Sequence, residues 1–187
     1  GMKRVAVIGA GTMGNGIAHV FAQSGHTVTL VDVHAAALDR AQATIDRNLD
    51  RLVAKERISA EDKAATLARL TTSTEMRGAV SDANLVVEAA TERLDLKLKI
   101  FEQLDAATPE HCILATNTSS ISITKIAAAT KRPAQVIGMH FMNPVPIMKL
   151  VEVIRGYDTS DATTETTVAL SKQLGKAVSY THLRAHE

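Results

Sequence analysis

The chain has 187 residues, 45% of them hydrophobic, with 21 basic against 20 acidic side chains and a formal net charge of +1. Charges of both signs are scattered along it, so it lacks the concentrated basic footprint of a partner for nucleic acid or a membrane surface, and small molecules become the expected partners. A single cysteine, Cys112, excludes an internal disulfide and fits a reducing, cytoplasmic setting.

The opening apolar run, in "GMKRVAVIGAG", is too short for a signal-peptide core or a membrane span, and Gly1 ahead of Met2 is left outside the fold argument. The first strand is expected at Arg4–Gly9. It leads into "VAVIGAGTMGNG", where Gly9, Gly11 and Gly14 form a GxGxxG pattern between that strand and a helix at Met13–Ser24, which Gly25 closes. Glycines at this spacing allow a tight turn, a close approach of backbone to a pyrophosphate, and packing of helix on strand. Thr12 and Met13, in the helix's first turn, would present open amides and the positive end of the dipole to the phosphates. Glycines that serve only a turn are the plainer alternative.

The second strand, Thr27–Asp32, ends on a carboxylate 18 residues beyond Gly14, where it can accept hydrogen bonds from an adenosine ribose. The following Val33, His34 and Ala35 include no Arg or Lys to hold a 2′-phosphate, which favours NAD over NADP. A long helix is expected from Ala36 to about Lys55, because Leu38, Ala41, Ile45, Leu49 and Leu52 recur at steps of three or four. Its other face carries Asp39, Arg40, Asp46, Arg47, Asp50 and Arg51 and is read as solvated rather than ligand-binding. Ser59 caps a further helix over Ala60–Leu70, with Asp62 three residues on.

The strand Leu85–Glu88, in "LVVEAATE", sets Glu88 and Glu92 at and just beyond its carboxyl end, the edge where doubly wound sheets bind ligands. A helix over Arg93–Ala107 must stop before Pro109. The strand Ile113–Asn117 ends in "ATNTSS", whose Asn117, Thr118, Ser119 and Ser120 suit a nicotinamide or a substrate oxygen and equally suit a helix cap. Val136–Phe141 brings His140 to another carboxyl end, with Asn143, Pro144 and Pro146 stiffening the chain behind it. The last strand, Lys149–Ile154, is apolar on both faces except for Glu152, a burial that calls for a partner. His140, twelve residues earlier, is the candidate, since a carboxylate can fix an imidazole's tautomer and stabilise its protonated form, as a general base requires. The whole pattern predicts an α/β fold, a doubly wound and mostly parallel sheet with helices on both faces.

The strings "VAVIGAGTMGNGIAHVFAQSGHTVTLVD", "VVEAATE", "NTSSISIT" and "HFMNPVPIMKLVEVI", in order between residues 3 and 154, together resemble the short-chain L-3-hydroxyacyl-CoA dehydrogenases, including 3-hydroxybutyryl-CoA dehydrogenase. The resemblance implies a Rossmann-type fold, NAD as cofactor, and a 3-hydroxyacyl-CoA or 3-oxoacyl-CoA substrate. It implies that His140 and Glu152 are the catalytic pair, that Ser119 and Asn143 lie at the reacting carbon, and that Asp32, Glu92, Lys97 and Asn117 contact NAD. Family members of full length form homodimers through a second, all-helical domain that also completes the substrate pocket. Here "SKQLGKAV" is followed by "SYTHLRAHE", so the expectation is a dinucleotide domain over residues 1–178, a foreign tail over 179–187, and no helical domain. NAD binding should then survive and acyl-CoA turnover should be severely reduced. Two alternatives remain: oxidation of a sugar acid of the L-gulonate type, and an NAD-binding module that performs no chemistry.

Overall fold

The computed structural model describes residues 3–182, which form eight strands and seven α-helices. In chain order these are β1 (Arg4–Ile8), α1 (Thr12–Gln23), β2 (Thr27–Val31), α2 (Ala35–Ala54), α3 (Ala60–Ala68), β3 (Leu70–Ser73), α4 (Met76–Ala79) and β4 (Leu85–Glu88). There follow α5 (Leu94–Ala107), β5 (Ile113–Thr116), α6 (Ile123–Ala127), β6 (Val136–Phe141), β7 (Leu150–Arg155), α7 (Asp161–Gln173) and β8 (Ala177–His182).

All eight strands join one sheet in the order β3-β2-β1-β4-β5-β6-β7-β8. The first six of these positions are parallel and follow the doubly wound dinucleotide-binding order. β7 then runs antiparallel to β6, and β8 parallel to β7. Strand alternation divides the core between the two faces. Val5 and Val7 of β1 pack with Ile17 and Phe21 of α1, Leu38, Ile45 and Leu49 of α2, and Leu170 of α7. Ala6 and Ile8 turn the other way, toward Phe101 and Leu104 of α5 and Ile123 and Ile126 of α6.

One sequence expectation changes here. Leu70 ends no helix: the chain leaves α3 at Ala68, and Leu70 begins the edge strand β3, whose register with Val28 buries it. β8 runs across the expected division at Val178, with Ser179, Tyr180, Thr181 and His182 in register with Glu152 through Arg155. Residues 183–187 of the expected tail lie outside the described residues.

The antiparallel pair β6–β7 positions the site, and Phe141 anchors it to α1. Its ring is 1% exposed and meets Phe21 edge to face at 6.2 Å. Replacing Phe141 with Ala should cost about 3–5 kcal/mol of folding stability, measurable by denaturant unfolding; a cost near zero would mean that this strand is not held by its core face.

Candidate active site

The carboxyl ends of the parallel strands meet the amino end of α1 at the glycine turn. Gly9 has a φ of +102°, and a Cβ there would come within 2.7 Å of the Ala89 carbonyl oxygen. A Cβ on Gly14 would sit 1.6 Å from the Gly9 carbonyl oxygen, so no larger residue permits α1 to leave the strand at this angle. Gly11 differs: a Cβ there would meet nothing within 4 Å. The protein leaves that space open, directly at the amino end of α1, where Gly11 as N-cap supplies no side-chain acceptor. The amides of the first turn, at Thr12 and Met13, are thus open to an anion.

Asp32 stands beside this turn. Its Oδ2 accepts from the Ala10 amide at 2.9 Å and its Oδ1 from the His34 amide at 2.9 Å, which fixes the carboxylate and leaves a further lone pair on each oxygen. Val33, next to it, is 79% exposed, an apolar side chain held out at the same edge. An open glycine cradle, a helix start, an anchored acid and an apolar flank together fit the pyrophosphate, ribose and base of a dinucleotide.

Further along the same edge, Met13, Ala89, Ala90, Glu92, Lys97 and Asn117 are among the residues lining a cleft of about 200 Å³. Beneath it lies a buried ion pair. Lys97 (1% exposed) donates to Glu88 Oε1 (0% exposed) at 2.5 Å and to Thr116 Oγ1 at 3.3 Å, and Thr116 donates to the same Glu88 oxygen at 2.8 Å. Glu88 Oε2 accepts from the Ala90 and Thr91 amides, so one carboxylate sets the loop that leads to Glu92. Glu92 is exposed and accepts from Thr118 Oγ1 at 2.9 Å. Asn117 Oδ1 accepts from the Phe141 amide at 2.8 Å, tying β5 to β6 one residue beyond His140 and leaving its NH2 for a ligand.

His140 and Glu152 are register partners across β6 and β7, and His140 Nδ1 lies 3.0 Å from Glu152 Oε1. If Nδ1 carries the proton it donates to Glu152, and the Nε2 lone pair is free to act as a base. The expected full burial of Glu152 is corrected: its side chain is 35% exposed and that of His140 21%. The physical reason is that the two faces of β7 differ. Val151 and Val153 are fully buried against the α1 and α2 side, whereas Leu150 and Glu152 emerge on the opposite face. There α6 closes over Gly138, whose Cβ would meet Ile154 at 2.8 Å and Ile123 at 3.1 Å, and covers nothing further along the strand. Ser119 and Asn143 are both exposed, on the loops that follow β5 and β6.

A second cavity, of about 540 Å³, lies behind that last loop. Arg51, Lys55, Arg57 and Lys149 surround it together with Asn48, Pro144, Pro146 and His19. His19 is wholly buried; its Nε2 meets Gln23 Oε1 at 2.8 Å while Nδ1 has no partner, and burial holds its pKa below the ordinary value. The reading of the charged α2 face as merely solvated missed this cavity. The only available signal was the recurrence of basic residues toward the end of that face, at Arg47, Arg51 and Lys55.

These features define a dinucleotide-binding domain of the doubly wound class. The sequence profile for the 3-hydroxyacyl-CoA dehydrogenase NAD binding domain matches residues 4–182, and the chain belongs to that family. It is 49% identical over 177 residues to a 3-hydroxybutyryl-CoA dehydrogenase of Bradyrhizobium diazoefficiens, covering 95% of this chain and 60% of the relative. A 3-hydroxybutyryl-CoA dehydrogenase of Clostridioides difficile is 47% identical over 173 residues, covering 92% of this chain and 61% of the relative. The crystal structure of (S)-3-hydroxybutyryl-CoA dehydrogenase from Ralstonia eutropha superposes with a TM-score of 0.94 at 49% identity, covering 98% of this chain and 65% of that one. The chain thus spans about 60% of the length of the curated relatives it matches. Among the described residues, no helix is long and apolar enough to cross a membrane.

Because Glu88 and Lys97 are buried together, Glu88→Gln should destabilise the fold by about 3–5 kcal/mol by leaving the ammonium without its counter-charge. The double variant Glu88→Gln with Lys97→Met should recover most of that loss. Denaturant unfolding of the single and double variants checks both outcomes, and equal stability of all forms would refute the pairing.

Proposed function

We propose that this chain carries the NAD-binding and acid–base half of a dehydrogenase that oxidises the 3-hydroxyl of an (S)-3-hydroxyacyl-CoA to the 3-oxoacyl-CoA. The observation that carries the reading is the cross-strand pair His140–Glu152, 3.0 Å apart at the edge where the nucleotide cradle opens. NAD, when bound, supplies the hydride acceptor. The residues read as holding it are Gly9, Gly11, Thr12, Met13, Gly14 and Asp32 for the adenosine and pyrophosphate, with Glu92, Lys97 and Asn117 toward the nicotinamide.

In this reading, neutral His140 takes the substrate's hydroxyl proton on Nε2 as the C3 hydrogen departs with its electron pair. Glu152, held at Nδ1, offsets the positive charge that the imidazole gains. Ser119 and Asn143 orient the oxygen by hydrogen bonds. In reverse, the same imidazolium protonates the reduced carbonyl oxygen. The cavity behind the Asn143 loop supports the thioester part of the proposal: Arg51, Lys55, Arg57 and Lys149 give it a cationic rim suited to the phosphates of coenzyme A, while Pro144, Pro146, Leu52 and Ile58 offer apolar wall.

The experiment is NADH formation from (S)-3-hydroxybutyryl-CoA, with NAD affinity measured in the same sample. His140→Ala should abolish turnover, and Glu152→Gln, nearly equal in volume, should lower it by roughly 10²-fold or more while NAD affinity holds. Unchanged turnover in Glu152→Gln would sink the pair, and NAD binding with no NADH formation by the unaltered chain would support a binding module instead. Separately, Arg51→Glu with Lys55→Glu should raise KM for the acyl-CoA by about tenfold or more with little change in kcat, because a phosphate contact far from C3 acts equally on ground and transition states.

A further inference from the structure

The loop over residues 142–149 joins the strand of His140 to the strand of Glu152, carries Asn143, and walls the cationic cavity with Pro144, Pro146, Ile147 and Lys149. Several of its backbone groups are held. The Ile147 and Met148 amides both donate to the Pro144 carbonyl, at 3.1 and 2.9 Å, and the Lys149 carbonyl accepts from the Ala177 amide. The carbonyl of buried Val145 needs a donor from elsewhere, since a buried carbonyl left unpaired costs about as much as a lost hydrogen bond, and that of the more exposed Met148 lies beside it. Lys176 supplies both bonds: its Nζ donates to Val145 O at 2.7 Å and to Met148 O at 2.6 Å.

Lys176 is 7% exposed, and among the described residues no carboxylate pairs with it. Burial and the nearby Lys149 lower its pKa, and it in turn helps to hold His19 of α1 neutral. A buried cation whose compensation is two peptide carbonyls is an expensive way to fill space, and an apolar side chain would fill it at lower cost. What it supplies is a fixed, charge-assisted grip on one short loop from the start of β8. α1 meets the same loop, where a Cβ on Gly16 would come within 2.8 Å of Val145. The loop is therefore held by both the nucleotide helix and the lysine.

We propose that Lys176 is a positioning residue for substrate: by holding the Val145 and Met148 carbonyls it sets the place of Asn143 and of the cavity wall against which the acyl-CoA rests. This rests on the reading of the substrate given above, whereas the grip on the loop does not. Lys176 touches neither the nucleotide cradle nor the His140–Glu152 pair, so its removal separates loop position from cofactor binding.

The test uses the full chain with Lys176→Met, which keeps length and removes the donor, and Lys176→Arg, which keeps a charged donor. Hydrogen exchange at the Ile147, Met148 and Ala177 amides, NAD affinity, affinity for acetoacetyl-CoA, and kcat and KM for (S)-3-hydroxybutyryl-CoA are measured on each. In Lys176→Met, exchange at the three amides should quicken by about tenfold or more and acyl-CoA affinity should fall by a similar factor, with NAD affinity unchanged. Lys176→Arg should recover most of both losses. Amides as protected as in the unaltered chain, or a loosened loop with undiminished acyl-CoA affinity, would overturn the proposal. If Lys176→Met does not fold, Lys176→Gln, which retains one neutral donor, faces the same criteria. Should the unaltered chain bind NAD but neither bind nor oxidise acyl-CoA, the substrate reading falls, and the exchange data still decide the grip.

Discussion

The return of β7 antiparallel to β6 is the constraint on which the rest of the site depends. Parallel strands need a crossover of a dozen or more residues between them, usually a helix, and two groups twelve positions apart could not then face each other. Reversing the chain direction from β6 to β7 lets an eight-residue connection, 142–149, close the chain on itself and brings His140 opposite Glu152. The same reversal aims the amino end of β7 at the edge where β1, β4 and β5 end, so that the His140–Glu152 pair and the glycine turn share one rim. The packing of Phe141 on Phe21, the Asn117 bond to the Phe141 amide, and the grip of Lys176 on the connecting loop all act on this hairpin.

Charge is distributed along that rim with different degrees of burial. Glu88 and Lys97, almost wholly buried at the base of the cleft they help to line, neutralise each other, and their hydrogen bonds shape the 89–92 loop and pin Thr116. Glu92, Asp32 and the His140–Glu152 pair remain within reach of a ligand, since each is at least partly exposed. The basic residues Arg51, Lys55, Arg57 and Lys149 gather at a separate cavity behind the loop.

Local pattern revealed much of this beforehand. The strands β1, β4, β5 and β6 were legible because burial on both sides leaves a largely continuous apolar run, and β2 because Val28, Leu30 and Val31 stand out between its threonines. α1, α2 and α5 were legible from their period and their end signals. β3 was not, since "LTTS" is a short edge strand with one apolar residue and it continues directly from a helix. α6 and α7 escaped because "ITKIA" is barely more than one turn and the buried face of α7 is mostly hydroxylic: Thr164, Thr167 and Ser171 bond to carbonyls one turn back and Thr163 to the Ala134 carbonyl, with Leu170 the one apolar residue among them. Glu152 was expected to be buried on both-faced apolarity alone, and only the uneven cover of the two faces of β7 corrects it.

The sequence by itself determined the glycine turn, the acid that follows the second strand, and the identity of the groups able to do acid–base chemistry, because each is set by residue type and by spacing within one strand, turn or helix. Only the tertiary structure decided which of them meet. The pairing of Glu88 with Lys97, the cavity that collects cations from α2 and from the loop before β7, and the placement of Lys176 under two carbonyls all join residues far apart in the chain. Such contacts depend on strand order, strand direction and the layering of helices on the sheet, and these are properties of the whole packed core that no local stretch of sequence carries.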